Sequence, residues 1–168
     1  MTKNAGIFGE TSSSGAAGTF EVGEDRKVSI TYSKSQLRNP SALIATLAHE
    51  LCHYLLGTLH QAPPGTWEDL EPLTDLAAVR QGYGVFLCES AFQYYQFSDG
   101  FTSGWGHSRQ GYLSQTELAF SLALYARAND VEPMIIAPHL GRNSREYFAL
   151  ALEDLDDCDD WISEIRNA

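Results

Sequence analysis

Basic residues are scarce in this chain, and their scarcity excludes two classes of partner. Lysine and arginine together number 11, against 22 aspartate and glutamate residues, so 168 residues carry a formal net charge of −11. A chain this acidic repels the phosphates of nucleic acids and anionic lipid headgroups. It also lacks an apolar stretch long enough to span a bilayer. We therefore expect no nucleic-acid partner and no membrane partner.

Cysteine is equally sparse, with Cys52, Cys88 and Cys158 forming an odd set that has no Cys-x-x-Cys spacing. Such a set favours reduced thiols over a disulfide framework. The first residues also lack the basic end and the apolar run of a secretory signal peptide. Together these absences predict a cytoplasmic protein.

The length and the 43% hydrophobic content are sufficient for one sizeable core but small for two independent domains. Neither an internal repeat nor an interdomain linker divides the chain, so we predict a single domain over residues 1–168. Residues 1–18 contain many small residues with little side chain to bury, and they are predicted to be a flexible arm or loop.

The residue pattern predicts an α+β fold, in which a small antiparallel sheet precedes a predominantly helical remainder. Two β-rich stretches, residues 19–22 and 28–32, flank a Gly-Glu-Asp turn and indicate a hairpin. Asn39 and Pro40 are typical of a helix start, and apolar residues then recur at helical spacing up to Gly57. The C-terminal pattern, residues 147–162, predicts one amphipathic helix.

Two further helix starts are indicated by residue pairs that resemble capping boxes, in which a hydroxyl and an acidic side chain three residues later satisfy each other's backbone N–H groups. Thr66 with Asp69 is the first pair, and Ser114 with Glu117 is the second. The first pair predicts a helix that carries Glu71, and the second predicts a helix running to about residue 128.

The strongest chemical signal is the run His49-Glu50-Leu51-Cys52-His53 on the helix predicted after Pro40. Residues four apart lie on the same face of a helix, so His49 and His53 can direct ring nitrogens at one zinc ion. Glu50 is placed to accept a proton from water without serving as a ligand. Cys52 points elsewhere on the helix and is interpreted as a core residue.

A catalytic zinc ion normally has three protein ligands, so a third must lie elsewhere in the chain. Glu71 follows His53 by 18 residues, and Asp75 lies one helical turn beyond it. In one assignment Glu71 binds the metal while Asp75 accepts the other ring N–H of a ligand histidine. In the other, Asp75 is the ligand and Glu71 is solvated. His60 follows His53 too closely to replace either.

These two motifs resemble those of the gluzincin metallopeptidases, in which His-Glu-x-x-His is followed by Glu-x-x-x-Asp on a separate helix. Here the second element is Glu71-Pro72-Leu73-Thr74-Asp75. The resemblance covers about residues 28–76. It implies that His49, His53 and Glu71 bind zinc, that Glu50 is the general base and that Asp75 orients a ligand histidine.

A peptidase also requires a donor for the negative charge that develops on the substrate carbonyl oxygen. His107, Arg109 and Tyr112 lie in a glycine-rich segment, and His107 and Tyr112 are our catalytic candidates. By resemblance, residues 28–32 are expected to form an edge strand that pairs with an extended substrate beside the zinc.

The sequence thus predicts a zinc-dependent metallopeptidase that hydrolyses a peptide or protein substrate. One alternative is a non-catalytic domain, or a protein-binding module, that keeps the zinc site. Another is a toxin or processing factor that acts on one partner. The sequence sets neither the substrate nor the oligomeric state.

Overall fold

The computed structural model describes residues 18–98 and 112–167, and within these ranges the chain forms one small sheet and a series of helices. The strands are β1 (Gly18–Val22) and β2 (Val28–Tyr32), and the helices are α1 (Pro40–Gly57), α2 (Leu70–Ala78), α3 (Gly84–Ser98), α4 (Gln115–Ala128), α5 (Pro133–Ile136), α6 (Arg142–Asp154) and α7 (Asp159–Asn167). Short 3-10 turns occupy Lys34–Arg38, Trp67–Asp69 and Ala137–His139. The predicted α+β fold is confirmed.

The hairpin forms where the sequence predicts it. β1 and β2 are antiparallel, with Gly18 opposite Tyr32 and Val22 opposite Val28. The turn closes through a hydrogen bond from the Arg26 N–H to the Gly23 carbonyl. Of the predicted arm over residues 1–18, only Gly18 lies among the described residues, and it belongs to β1.

Helix α1 begins and ends as its sequence predicts. The Asn39 side chain accepts a hydrogen bond from the Ala42 N–H at 3.2 Å, and Pro40 follows at a position where its missing N–H costs little. Gly57 closes the helix. Most of its buried side chains are small, namely those of Ala42, Ala45, Ala48 and Cys52, together with the carboxylate of Glu50. Small side chains allow α1 to approach its neighbours closely.

The core is centred on α4, which packs against α3, α6 and α7. Its inward face consists of Leu118, Ala119, Leu122, Ala123 and Ala126, all buried. The same hydrophobic cluster extends from Ala45 on α1 to Ile162 on α7. The single-domain boundaries stay a prediction.

The two predicted capping boxes have different outcomes. At α4 the box is complete, because the Glu117 N–H donates to Ser114 Oγ at 3.2 Å and the Ser114 N–H donates to Glu117 Oε2 at 2.7 Å. At α2 only half forms. The Asp69 carboxylate accepts from the Thr66 N–H, but Thr66 Oγ1 also donates to Asp69 instead of accepting. Residues 67–69 therefore form a 3-10 turn, and α2 starts at Leu70.

The prediction of one C-terminal helix over residues 147–162 is wrong, because the chain forms α6 and α7 with a break between Asp154 and Asp159. The break coincides with a run of aspartates around Cys158. Aspartate has a low helix propensity, and neighbouring like charges repel each other. The apolar side chains on either side, Leu155 and Ile162, still reach the core.

In the described part of the chain, none of the helices combines the length and the apolar character that crossing a lipid bilayer requires.

Helices α2 and α3 are joined by a wide π-type turn, Val79–Tyr83, whose backbone turns at Gly82 with φ of 92°. Residues with a side chain rarely adopt this left-handed conformation. We expect Gly82→Ala to lower the free energy of unfolding by about 1–2 kcal/mol, through backbone strain. An added Cβ would meet Tyr125 Oη only at an ordinary 3.5 Å, so a clash makes no contribution.

Chemical denaturation of both proteins measures this loss, and Gly82→Asn is the matched control, since asparagine tolerates positive φ better than alanine. Equal stability of the wild type and Gly82→Ala would contradict the strain argument.

Candidate metal centre

The histidines of the motif lie one turn apart on α1 and face each other. Their ring centroids are 4.7 Å apart and the rings are nearly perpendicular, at 84°. The Nε2 atoms of His49 and His53 are 3.1 Å apart. Both side chains are only about one-sixth exposed, at 16%. Two partly buried imidazoles thus present the same ring nitrogen to one point.

Helix α2 brings Glu71 to that point. Its Oε2 atom lies 3.1 Å from His49 Nε2 and 3.4 Å from His53 Nε2. In a tetrahedral site with metal–donor bonds of about 2.0–2.1 Å, two donors are separated by roughly 3.3–3.4 Å. The three observed separations are close to that value. His49, His53 and Glu71 could therefore hold a metal ion.

The ring nitrogens on the far side of each histidine also contact α2. His49 Nδ1 lies 2.8 Å from Asp75 Oδ1, and His53 Nδ1 lies 3.3 Å from Thr74 Oγ1. A carboxylate only accepts hydrogen bonds, so His49 Nδ1 is the donor. The other Asp75 oxygen, Oδ2, accepts from the Leu113 N–H at 3.3 Å, which ties the start of α4 to the site.

Among the described residues, the hydrogen bonds show which carboxylate faces the point where the Nε2 atoms of His49 and His53 converge. Asp75 is engaged with the Nδ1 edge of His49, away from the Nε2 atoms, while Glu71 lies between the two Nε2 atoms. The geometry matches the assignment with Glu71 as the third ligand and Asp75 as the partner of a histidine. Cys52 is buried in the core, and His60 lies exposed beyond α1.

The contacts of His49 favour its protonated form in the metal-free protein. Burial alone would lower the pKa of His49, but its hydrogen bonds to Asp75 and Glu71 raise that pKa from 6.5 to about 9. For Glu71, burial opposes ionisation, but its contacts with the rings of His49 and His53 lower the pKa from 4.5 to about 2. The centre therefore holds a positive histidine against negative carboxylates, and an incoming metal ion must displace that proton.

Glu50 follows His49, one of the three residues that could hold a metal ion, and it is only 7% exposed. Burial raises the pKa of its carboxyl, electrostatic interactions with His49 and His53 lower it, and the charge of Glu71 raises it further, with a net increase. Among the described residues it does not belong to the group that could hold the ion. A carboxylate with a raised pKa next to a metal centre is suited to accepting and returning a proton.

Tyr112 is brought to the site. Its ring stacks on that of His49 with centroids 5.9 Å apart and planes inclined by 13°. Burial and the charges of Glu71, Asp75 and Glu50 raise the pKa of its hydroxyl, which also hydrogen-bonds Glu71. Its role as a donor to substrate stays a prediction.

The other two donors proposed from the sequence, His107 and Arg109, lie outside the described residues.

The strand that touches Glu50 is β1, whereas the sequence predicts that β2 borders the cleft. A Cβ added at Gly18 would lie 2.5 Å from Thr46 Cγ2 and 3.0 Å from Glu50 Oε1. The backbone of β1 thus passes Thr46 of α1 at a distance that favours glycine, and it lies next to the Glu50 side chain. Substrate pairing with β2 stays a prediction, and β1 is the wall of the site on the Glu50 side.

Sequence reasoning missed two contributors to this centre, Thr74 and Gly18. Thr74 had an available signal, because it follows Glu71 by three residues and precedes Asp75, and so shares their helical face. Gly18 had none, since the approach of the hairpin to α1 is a tertiary contact.

Comparisons of this chain with models of protein families, with curated proteins and with solved structures found no match.

We expect one divalent metal ion per chain, bound through the three converging side chains. Replacing both histidines, His49→Ala with His53→Ala, removes two of the three donors and should abolish stoichiometric binding. Elemental analysis after zinc loading and gel filtration measures this, with the exposed His60→Ala as the matched control. Unchanged metal content in the double variant would contradict the assignment.

The raised pKa of His49 also predicts how the metal-free protein responds to pH. A group whose pKa is higher in the folded than in the unfolded state contributes stability that is complete below the unfolded value and is lost as pH rises through the folded value. For His49 that window runs from 6.5 to about 9.

In the presence of a chelator, the wild type should therefore lose more stability across this window than His49→Gln, as read from thermal midpoints. His60→Gln should behave like the wild type. An identical pH dependence of the wild type and His49→Gln would show that the proton at His49 does not stabilise the fold.

Proposed function

We propose that this protein is a zinc-dependent peptide hydrolase. The observation that carries the proposal is the convergence of His49 Nε2, His53 Nε2 and Glu71 Oε2 within 3.1–3.4 Å of one another, beside the buried carboxylate of Glu50. Three protein donors leave one position for water or substrate, as catalytic zinc sites do. The resemblance of both motifs to those of the gluzincins supports the same function.

The choice of zinc follows from the chemistry of the donors. Two imidazoles and one carboxylate suit zinc, whereas calcium and magnesium prefer oxygen donors alone. When bound, zinc supplies Lewis-acid polarisation of the substrate carbonyl and makes water more acidic. The substrate we propose is a peptide or protein, and the cytoplasm is the proposed location.

In this mechanism Glu50 acts first as the general base and then as the general acid. Its carboxylate takes a proton from the attacking water as the water oxygen bonds to the carbonyl carbon. It then returns that proton to the amide nitrogen as the C–N bond breaks, so the products are a carboxylic acid and an amine. The raised pKa of Glu50 assists the first transfer, because a stronger base accepts the proton more readily, and it keeps the carboxyl protonated until the leaving nitrogen takes the proton.

Tyr112 is the proposed donor to the carbonyl oxygen as negative charge develops there. Its hydroxyl stays protonated and able to donate at neutral pH, because its pKa is raised above an ordinary value of 10 that already lies well above neutral. Its ring is held against His49, and the residue as a whole is 53% exposed.

The second candidate is a non-catalytic zinc domain or binding module. The metal ligands do connect α1 to α2, which a structural ion would also do. Glu50 favours the enzyme, since a purely structural site has no use for a buried carboxylate beside its ligands. Chelation discriminates further, because removal of a structural zinc commonly unfolds a small domain.

Glu50→Gln tests the mechanism most directly. The amide has nearly the same size, but it cannot accept a proton at neutral pH. We expect zinc content and thermal midpoint to be retained, while turnover of a library-selected peptide falls about 10²- to 10⁴-fold. Glu68→Gln, at an exposed position before α2, is the matched control and should cleave like the wild type.

Equal cleavage by the wild type and Glu50→Gln would reject Glu50 as the base. If the wild type binds zinc but cleaves nothing in a broad peptide library, the result favours the non-catalytic domain over the general peptidase.

A further inference from the structure

Thr74 occupies an unusual place for an uncharged residue of a metal centre. Its side chain is fully buried, at 0% exposure. Its hydroxyl oxygen lies 2.8 Å from the Leu70 carbonyl oxygen, one turn back on α2, and 3.3 Å from His53 Nδ1 on α1. One hydroxyl group thus has two partners on two helices.

Only one pair of directions satisfies both contacts at the same time. A carbonyl oxygen only accepts, so the contact with Leu70 is a hydrogen bond when the single hydroxyl proton of Thr74 points to it. In that arrangement the contact with His53 uses a lone pair of Thr74, and His53 Nδ1 carries the proton. A neutral imidazole has one N–H, so Nε2 is left with its lone pair facing Glu71 and His49.

The opposite tautomer of His53, with its proton on Nε2, also has a hydrogen-bond acceptor. A proton on Nε2 would point at Glu71 Oε2, 3.4 Å away, and a metal ion could bind only after that proton had left. The two tautomers therefore compete, and the buried hydroxyl adds a hydrogen bond to one of them only.

We propose that Thr74 is a positioning residue that holds His53 as the Nδ1–H tautomer, with Nε2 ready to bind the metal ion. The proposal rests on the proposed function in one respect, that the ion binds at Nε2. The two histidines are then held unequally. His49 donates to the charged Asp75 at 2.8 Å, whereas His53 donates to a neutral hydroxyl at 3.3 Å.

Nitrogen NMR of histidine in the metal-free protein, in alkaline buffer, reads the tautomer directly. The wild type should show His53 with its proton on Nδ1. Thr74→Val keeps the shape but removes the acceptor, so the Nε2–H form should become populated. Thr74→Ser restores the hydroxyl and should restore the wild-type spectrum.

Zinc affinity, measured by competition with a chelating dye, provides the second readout. Loss of a group that orients a ligand costs about 10- to 100-fold in affinity. We expect Thr74→Val to fall near the lower end of that range and Asp75→Asn to lose more, because a hydrogen bond to a charged acceptor is stronger. Thr74→Ser should bind like the wild type.

Thr58→Val is the matched control. Thr58 Oγ1 also donates to a backbone carbonyl, that of Leu55 at 2.7 Å, but none of its hydrogen bonds in the described structure involves a histidine. It should lose that bond without a change in the His53 spectrum or in zinc affinity.

A wild-type His53 with its proton on Nε2 would overturn the proposal outright, even if Thr74→Val failed to fold. So would an unchanged tautomer and affinity in a folded Thr74→Val. A wild type that shows the predicted tautomer but binds no zinc would instead reject the proposed function, so the two failures are distinguishable.

Discussion

The hydrogen bond between His49 and Asp75 joins α1 to α2, and the centre depends on it. The same carboxylate also accepts from the backbone of Leu113, so three separate parts of the chain meet at one buried side chain. A buried carboxylate is stable only when its oxygens have donors. The need to satisfy Asp75 therefore holds both helices and the start of α4 in the arrangement that lets Glu71 reach the histidines.

Electrostatics explains why this centre suits a cation. Glu50, Glu71 and Asp75 place three carboxylates around two imidazoles, in a chain that is already strongly acidic. In the metal-free protein the proton on His49 offsets part of that negative charge. A divalent ion offsets more of it, so the carboxylates that make the empty centre costly also increase its affinity for a metal ion.

Local signals in the sequence predicted much of this arrangement. The helical spacing of His49 and His53 placed both rings on one face, and the spacing of Glu71 and Asp75 did the same on α2. Thr74 and Gly18 were missed. Thr74 acts through a hydrogen bond between two helices, and Gly18 matters only because it has no side chain where β1 approaches α1. The break before α7 was missed because apolar periodicity continues across it, although a run of aspartates interrupts the helix.

The three donor atoms also influence which metal ion would be recovered with the protein when it is purified from cells. Two imidazoles and a carboxylate bind first-row transition metals in the usual order, with copper above zinc and nickel or cobalt below. Fixed ring orientations add a preference for geometry but do not reverse that order. An ion recovered with the purified protein would therefore reflect metal supply in the growth medium as well as the site, and titration of the chelated protein with each ion would compare their affinities directly.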